Sequence, residues 1–310
     1  MKIAVLGSLN MDLVVEVDHL PRSGETVLGR GLARYPGGKG NIQAIAAARL
    51  GAEVHLFGRV GKDAFGDELL AVARDAGVAV SAVEQVDGET TGMSMIMVGP
   101  TGQNMVAYVP GANGRVSEAY VAGVLPRLAE ADAILVQLEI PLSAVAALLH
   151  GLPPERPRVI LDPAPAQDLT ALPLRRVDFL TPNREEFAVL TGWSASGVTE
   201  AGRAGQALLD LGVRHLVVTA DADGAFLVER GGATRFPAYP VEVVDATGAG
   251  DAFNAALAVK LAAGRGPYEA IGFANAVAAL AVTRRGAVPA LPTLAEVQAF
   301  LSRRRSPALG

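Results

Sequence analysis

The chain alternates short, unbroken apolar runs with longer stretches of helical periodicity, and that alternation admits few architectures. Ile3–Leu6, Val54–Phe57, Ala133–Val136, Val159–Leu161, Phe179–Leu180 and Leu216–Thr219 read as strands. Asn41–Leu50, Ala64–Ala76, Leu142–Leu149, Arg184–Leu190, Glu200–Leu211, Ala252–Ala263, Pro267–Val282 and Leu294–Leu301 read as helices. Runs such as Ile134-Leu135-Val136 and Val217-Val218 lack polar alternation, as strands covered on both faces do. Strands and helices in turn predict a parallel α/β sheet. With 310 residues and half of them apolar, the chain is long enough for a substantial core. No internal repeat, low-complexity tract or clear linker divides it.

Two regions break this rhythm. Asp12–Asp18 alternates, with Leu13, Val15 and Val17 on one face. Met93–Val98 and Gln103–Val109 predict a hairpin around Pro100-Thr101-Gly102. With Thr26–Leu32 these segments make a small antiparallel sheet outside the main one. Both its faces carry apolar residues, which a solvated flap would not tolerate. Methionines 11, 93, 95, 97 and 105 fall in or beside it, and methionine suits a surface that repacks. The expectation is a mobile lid over about residues 12–33 and 91–110, able to pair with the lid of another subunit. The alternative is an ordinary β excursion packed on its own core.

Composition removes several function classes. Cysteine is absent, which excludes disulfides, thiolate metal sites and a cysteine nucleophile. The four histidines (His19, His55, His150, His215) are scattered, a poor basis for a zinc site or a Ser-His-Asp triad. No apolar run reaches the roughly 18 residues of a membrane helix. The N-terminus opens on a strand-like Ile3-Ala4-Val5-Leu6 rather than a secretory signal, so we expect a cytoplasmic protein. The net charge is −5, and Arg303-Arg304-Arg305 is the one basic run, suited to a helix C-terminus. Nucleic acid is therefore an unsuitable partner.

The glycine-rich segments carry the chemistry. Neither a P-loop nor the dinucleotide G-x-G-x-x-G is present, because Gly38-Lys39 and Gly61-Lys62 lack the upstream glycine and the following hydroxyl. Asp245-Ala246-Thr247-Gly248-Ala249-Gly250-Asp251-Ala252-Phe253 leads into an Ala/Leu helix. Small residues at 248–250 let amides gather at a helix N-terminus, an anion site. Asp251 beside it is either an N-cap or a base that takes a proton from an attacking hydroxyl. Tyr35-Pro36-Gly37-Gly38-Lys39-Gly40-Asn41 opens another helix, as a close approach to a ligand or simply a tight turn. Asn10 and Asp12 follow the first strand, where open α/β sheets bind ligands, and point the same way in extended chain. They either grip adjacent hydroxyls of a polyol or form an Asx turn. Trp193, at a helix end, reads as packing.

In this order, these segments resemble the signatures of the ribokinase, or phosphofructokinase-B type, carbohydrate kinase family. The resemblance runs from Gly7 to about Pro292. It includes Gly24-Glu25-Thr26-Val27, Gln137-Leu138-Glu139, Asp162-Pro163-Ala164-Pro165-Ala166, Thr181-Pro182-Asn183 and Ala281-Val282-Thr283-Arg284-Arg285-Gly286-Ala287. It implies a Rossmann-like three-layer α/β sandwich, one kinase domain over 1–310, with a β lid often shared across a homodimer. It further implies ATP-dependent phosphorylation of a sugar's primary hydroxyl, D-ribose to ribose 5-phosphate first among the options. Fructose, 2-keto-3-deoxygluconate or a nucleoside are the alternatives, and a non-catalytic sugar or nucleotide sensor is the remaining one.

By the same resemblance, Asp251 matches the catalytic base, and Gly248, Ala249 and Gly250 the anion hole. Asn10, Asp12, Gly38, Lys39 and Glu139 match sugar contacts. Asn183, Thr219, Ala220, Asp221, Gly224, Gly250 and Asn275 match nucleotide contacts. Glu186 matches the acid that organises Mg²⁺ through water. Asp245, Thr247, Ala281, Arg284 and Gly286 match a K⁺ loop pair that coordinates mostly through backbone oxygens. The sequence departs from the family at four places. Ile42 stands where the sugar-contacting asparagine falls, and Asn41 is roughly 100° away around the helix. Asp221 and Asp223 lie in the nucleotide loop, Ala290 replaces a serine by the cation loop, and Asn275 replaces a histidine. Tyr108, in the lid hairpin, is a possible substrate contact.

Overall fold

The computed structural model of the chain describes residues 1–305; residues 306–310, the end of the expected 1–310 domain, lie outside the described residues. In chain order the elements are β1 (Lys2–Leu6), β2 (Asn10–Val17), β3 (Gly29–Gly37), α1 (Lys39–Arg49), β4 (Glu53–Gly61), α2 (Ala64–Asp75), β5 (Val78–Val86), β6 (Gly92–Val98), β7 (Asn104–Val109), α3 (Glu118–Ala129), β8 (Ala133–Gln137), α4 (Leu142–Gly151), β9 (Arg158–Asp162), β10 (Phe179–Leu180), α5 (Arg184–Thr191), α6 (Val198–Asp210), β11 (His215–Thr219), β12 (Ala225–Glu229), β13 (Gly232–Phe236), α7 (Ala249–Ala262), α8 (Pro267–Ala281), α9 (Ala287–Ala290) and α10 (Leu294–Arg305).

The main sheet has the order β13-β12-β11-β10-β9-β8-β1-β4-β5. It is parallel from β11 to β5, and β12 and β13 close one edge antiparallel. Side chains alternate across each strand, so Ile3 and Val5 of β1 enter one core while Ala4 and Leu6 enter another. The first core is closed by α1, α2, α7, α8 and α10, the second by α3, α4, α5 and α6. The result is three layers, helices on both faces of a sheet. Strand order reverses between β1 and β8, and the crevice at the carboxyl ends there is where such sheets take ligands.

A second sheet, β3-β2-β6-β7, stands apart. The hairpin β6–β7 forms as expected. Two details differ from the sequence reading. β2 pairs with β6 in parallel, because β6 re-enters from the main sheet instead of turning back from β2. β3 begins at Gly29 rather than Thr26 and runs to Gly37, because its ladder with β2 continues until Gly37 faces Asn10. That ladder delivers Gly38 and Lys39 to the end of β1.

β5, β12, β13 and α3 are present without having been expected. β5 and β13 are partly exposed and lack an unbroken apolar run. α3 carries Gly123 and an internal Pro126, both of which obscure helical periodicity. Trp193 is 69 % exposed, so the packing role expected of it does not hold.

Candidate active site

Helix α7 is buried along most of its length, an alanine-rich helix between α1, α8 and the sheet. Gly248 caps it at φ +79°, and Gly38 caps α1 at φ +86°. Both are left-handed backbone positions that favour glycine. Ala249 N–H donates to Ala246 O at 3.2 Å, so it is turned into the loop; the amides of Gly248, Gly250 and Asp251 have no such partner among the described residues. The anion site predicted over 248–250 thus rests on its two glycines and on Asp251's own amide.

Asp251 is not the cap of its helix. It lies two residues inside α7, buried, and its Oδ1 accepts from Gln43 Nε2 at 2.9 Å. Lys39 Nζ stands 3.9 Å from the same oxygen and 3.3 Å from Asp162 Oδ2. Burial pushes the Asp251 carboxyl up to about 7; Lys39 and Gln43 oppose this, and Asp162 and Glu139 reinforce it. Burial alone would lower the Lys39 ammonium. Asp162, Asp251, Glu139 and Glu186 around it hold it above the ordinary lysine value, hence charged.

Glu139, just past β8, ties the sugar candidates together. It accepts from Asn10 Nδ2 at 3.3 Å, from Lys39 N at 3.2 Å, and from the Ser8 hydroxyl. Asn113 Nδ2 donates to Asn10 Oδ1 at 2.7 Å and fixes that amide. Asp12 lies over Gly37, where a Cβ would come within 2.2 Å of its Oδ2. Burial pushes Asp12 up to about 6, a Ser94 hydrogen bond opposes this, and Glu139 adds to it. The structure therefore gathers Asn10, Asp12, Gly38, Lys39, Glu139 and Asp251 at the reversal point, from four separate stretches of chain. Ile42 is buried within 3.7 Å (Cγ2) of a Cβ placed on Gly248, against the anion loop. Tyr108 reaches in from β7, its hydroxyl 3.3 Å from Glu139 O.

The nucleotide candidates fall in two places. Asn183 and Thr219 pair as an isolated bridge at neighbouring strand ends. Asn183 and Glu186 form a capping box for α5: Asn183 Oδ1 accepts from Glu186 N, and Glu186 Oε2 from Asn183 N, both at 2.8 Å. Burial and Asp162 raise the Glu186 carboxyl. Ala220, Asp221 and Gly224 turn sharply after β11, with Asp221 at φ +46°. Asp223 is paired with Arg184 at 2.5 Å and Arg235 at 2.9 Å, which removes it as a repulsive charge. Asn275 lies apart from Asn183: its Nδ2 donates to Phe236 O and Pro237 O, beside the turn at Gly224.

Asp245 joins the two stretches expected to hold a cation. Its carboxylate accepts from Thr247 N at 2.9 Å and Gly286 N at 2.8 Å, bonds that keep it below the usual carboxylate range against burial. Arg284 turns its side chain to Glu296, leaving only its backbone for that loop. Ala281 closes α8, and α9 with Ala290 follows Gly286.

Gln137 and Asp162 stand in the sequence motifs without a role, and Ser8, Gln43, Ser94 and Asn113 likewise receive none from the sequence. Gln137 and Asp162 each follow an apolar run as the last, buried residue of a strand, at the carboxyl end of the sheet, which is the signal that marks them.

Residues 1–294 match the pfkB family carbohydrate kinase description. The chain is 38 % identical to a ribokinase of Bacillus subtilis over 97 % of its length and 99 % of the relative's. It is 35 % identical to a ribokinase of Haemophilus influenzae, covering 96 % and 98 %. A structure of Arabidopsis thaliana ribokinase complexed with ribose and ATP superposes with a TM-score of 0.90 at 33 % identity, covering 96 % of this chain and 98 % of that one. The chain belongs to the pfkB family of carbohydrate kinases, and the α/β fold with its small second sheet is the fold of those relatives.

Proposed function

We propose that this chain is one kinase domain that transfers the γ-phosphoryl group of ATP to the primary hydroxyl of D-ribose, giving ribose 5-phosphate and ADP. The observation that carries the reading is Asp251: a buried carboxylate at the head of α7, beside free amides and facing the polar cluster of Asn10, Asp12, Lys39 and Glu139. Asn10, Asp12, Gly38, Lys39 and Glu139 hold the sugar hydroxyls. Asp251 takes the proton of the attacking hydroxyl, whose oxygen bonds to the γ-phosphorus as the bond to the ADP oxygen breaks. ADP leaves with that electron pair. The amides of Gly248 and Gly250, with Ala249 between them, stabilise charge on the moving group.

Asn183, Thr219, Ala220, Asp221, Gly224 and Asn275 line the nucleotide. Mg²⁺ keeps most of its waters and binds chiefly to phosphates, so one half-buried acid, Glu186, suffices to orient it. The Asp245 carboxylate already brings loop 245–247 to Gly286, and Asp245, Thr247, Ala281, Arg284 and Gly286 would hold K⁺ there, mostly by backbone oxygens. The second sheet acts as a lid that excludes water and pairs with its copy in a homodimer. A cytoplasmic location suits this chemistry, and no helix among the described residues is long and apolar enough to cross a membrane. Ile42 favours a second reading, a kinase for a different sugar, since an apolar side chain stands where a hydrogen bond to ribose is expected.

The test is Asp251→Asn. We expect kcat to fall about 10²–10⁴-fold while sugar and ATP still bind by calorimetry. Near-normal turnover would remove the base assignment.

A further inference from the structure

The reading above uses Asp251 but not the groups that hold it. Gln43, fully buried in α1, donates from Nε2 to Asp251 Oδ1 and to Asp162 Oδ2, each at 2.9 Å. A primary amide nitrogen has two hydrogens, so these bonds use both. Gln43 Oε1 accepts from Gln137 Nε2 at 2.6 Å. The Gln43 amide therefore has one sense. Flipped, it would turn Oε1 toward two carboxylates and set its NH₂ against that of Gln137.

Gln137 is fully buried at the end of β8, and its place depends on residue 7. A Cβ on Gly7 would lie 1.9 Å from Gln137 Oε1, so only glycine leaves room. A relay of fixed polarity thus runs from the end of β8 through α1 to α7. The contacts of Gln43 and Lys39 with Asp251 both engage Oδ1, which leaves Oδ2 without a hydrogen-bond partner among the described residues.

We propose that Gln43 is a positioning residue for Asp251, its amide held in register by Gln137, so that Oδ2 faces the hydroxyl to be phosphorylated. The inference rests on Asp251 being the general base. Its physical logic is that Asp251 stands among Asp162, Glu139 and Lys39 in a buried site. A second lysine there would hold the carboxylate too weakly basic, and an apolar neighbour would leave two carboxylates unbridged. An amide donates to both and adds no charge. Its donation also favours the ionised form of Asp251.

The experiment measures kcat and kcat/KM for ribose against pH, at saturating MgATP, in four proteins: wild type, Gln43→Met, Gln137→Met and the double variant. In Gln43→Met we expect kcat to fall by roughly 10²-fold from misplacement of the base, with ribose KM little changed. The acid limb of kcat/KM should move up by about one pH unit as the donor is lost. Gln137→Met should move both quantities the same way by less. The double variant should match Gln43→Met alone, because Gln137 acts through Gln43. An unmoved acid limb in Gln43→Met overturns the proposal, as does a double variant showing the product of the single effects. Should Gln43→Met not fold, Gln137→Met decides: a wild-type acid limb there overturns it. If instead the kinase reading is at fault, wild type shows no ribose-dependent ADP release or Asp251→Asn keeps it, and the glutamine variants play no part in that outcome.

Discussion

Asp251 must be basic enough to take a proton and ionised often enough to be ready for one. Burial and the charges of Asp162 and Glu139 drive its carboxyl up, and Lys39 and Gln43 hold it near neutrality at about 7. Only the ionised form accepts a proton, so the sign is fixed: kcat/KM for the sugar should rise with pH up to about 7 and then level. A rate profile flat through that region would show that no group of this kind controls the step. At this scale the sequence was legible where function follows local order. The run from Asp245 to Asp251 raised the expectation of an anion loop with an acid beside it, and the structure has open amides and a buried carboxylate there. Its capping alternative fails because the carboxylate is held by Gln43, 208 residues away in the chain. Gln43 itself was opaque, since its meaning lies in Asp162, 119 residues distant, and in Asp251. Nothing near residue 43 announces either partner.

Among the elements, strands buried on both faces were the most legible, because their apolar runs are continuous. β5 and β13 escaped notice because edge strands share their residues between core and solvent, and α3 because Pro126 and Gly123 interrupt its pattern. The small sheet was read correctly as a separate body, but the parallel pairing of β2 with β6 depends on a crossover through the main sheet that local alternation does not encode. All six residues of β7 are exposed, and Leu32, Met95, Met105, Val106 and Val109 leave apolar surface on this sheet open. An exposed apolar sheet of this size marks an interaction surface. We expect a dimer by sedimentation velocity at micromolar concentration, and the pair Met105→Lys with Val106→Lys should dissociate it and raise KM for the sugar. A monomeric wild type would remove the lid from the subunit interface.

The whole molecule is two helical layers on one large sheet with a small second sheet beside it, and the strand-order reversal places five stretches of chain, that of Asp162 included, around one cluster. Neighbouring residues at that cluster come from β2, the head of α1, the segment after β8, the end of β9 and α7, so the fold sets the chemistry by topology. The order of signatures along the chain was enough to expect a carbohydrate kinase, and the arrangement gives a physical reason: the stretches carrying Asn10, Lys39, Glu139 and Asp251 meet at one crevice. Ile42 is the departure from the family pattern that bears most on which sugar is taken. The direct measurement is ADP release across a panel of sugars and nucleosides with Mg²⁺ and K⁺ present. The account predicts by far the largest kcat/KM for D-ribose, with its other contacts making up for Ile42. A higher value for a different sugar would reassign the pocket around Ile42, and ADP release that no sugar raises above background would contradict the kinase account.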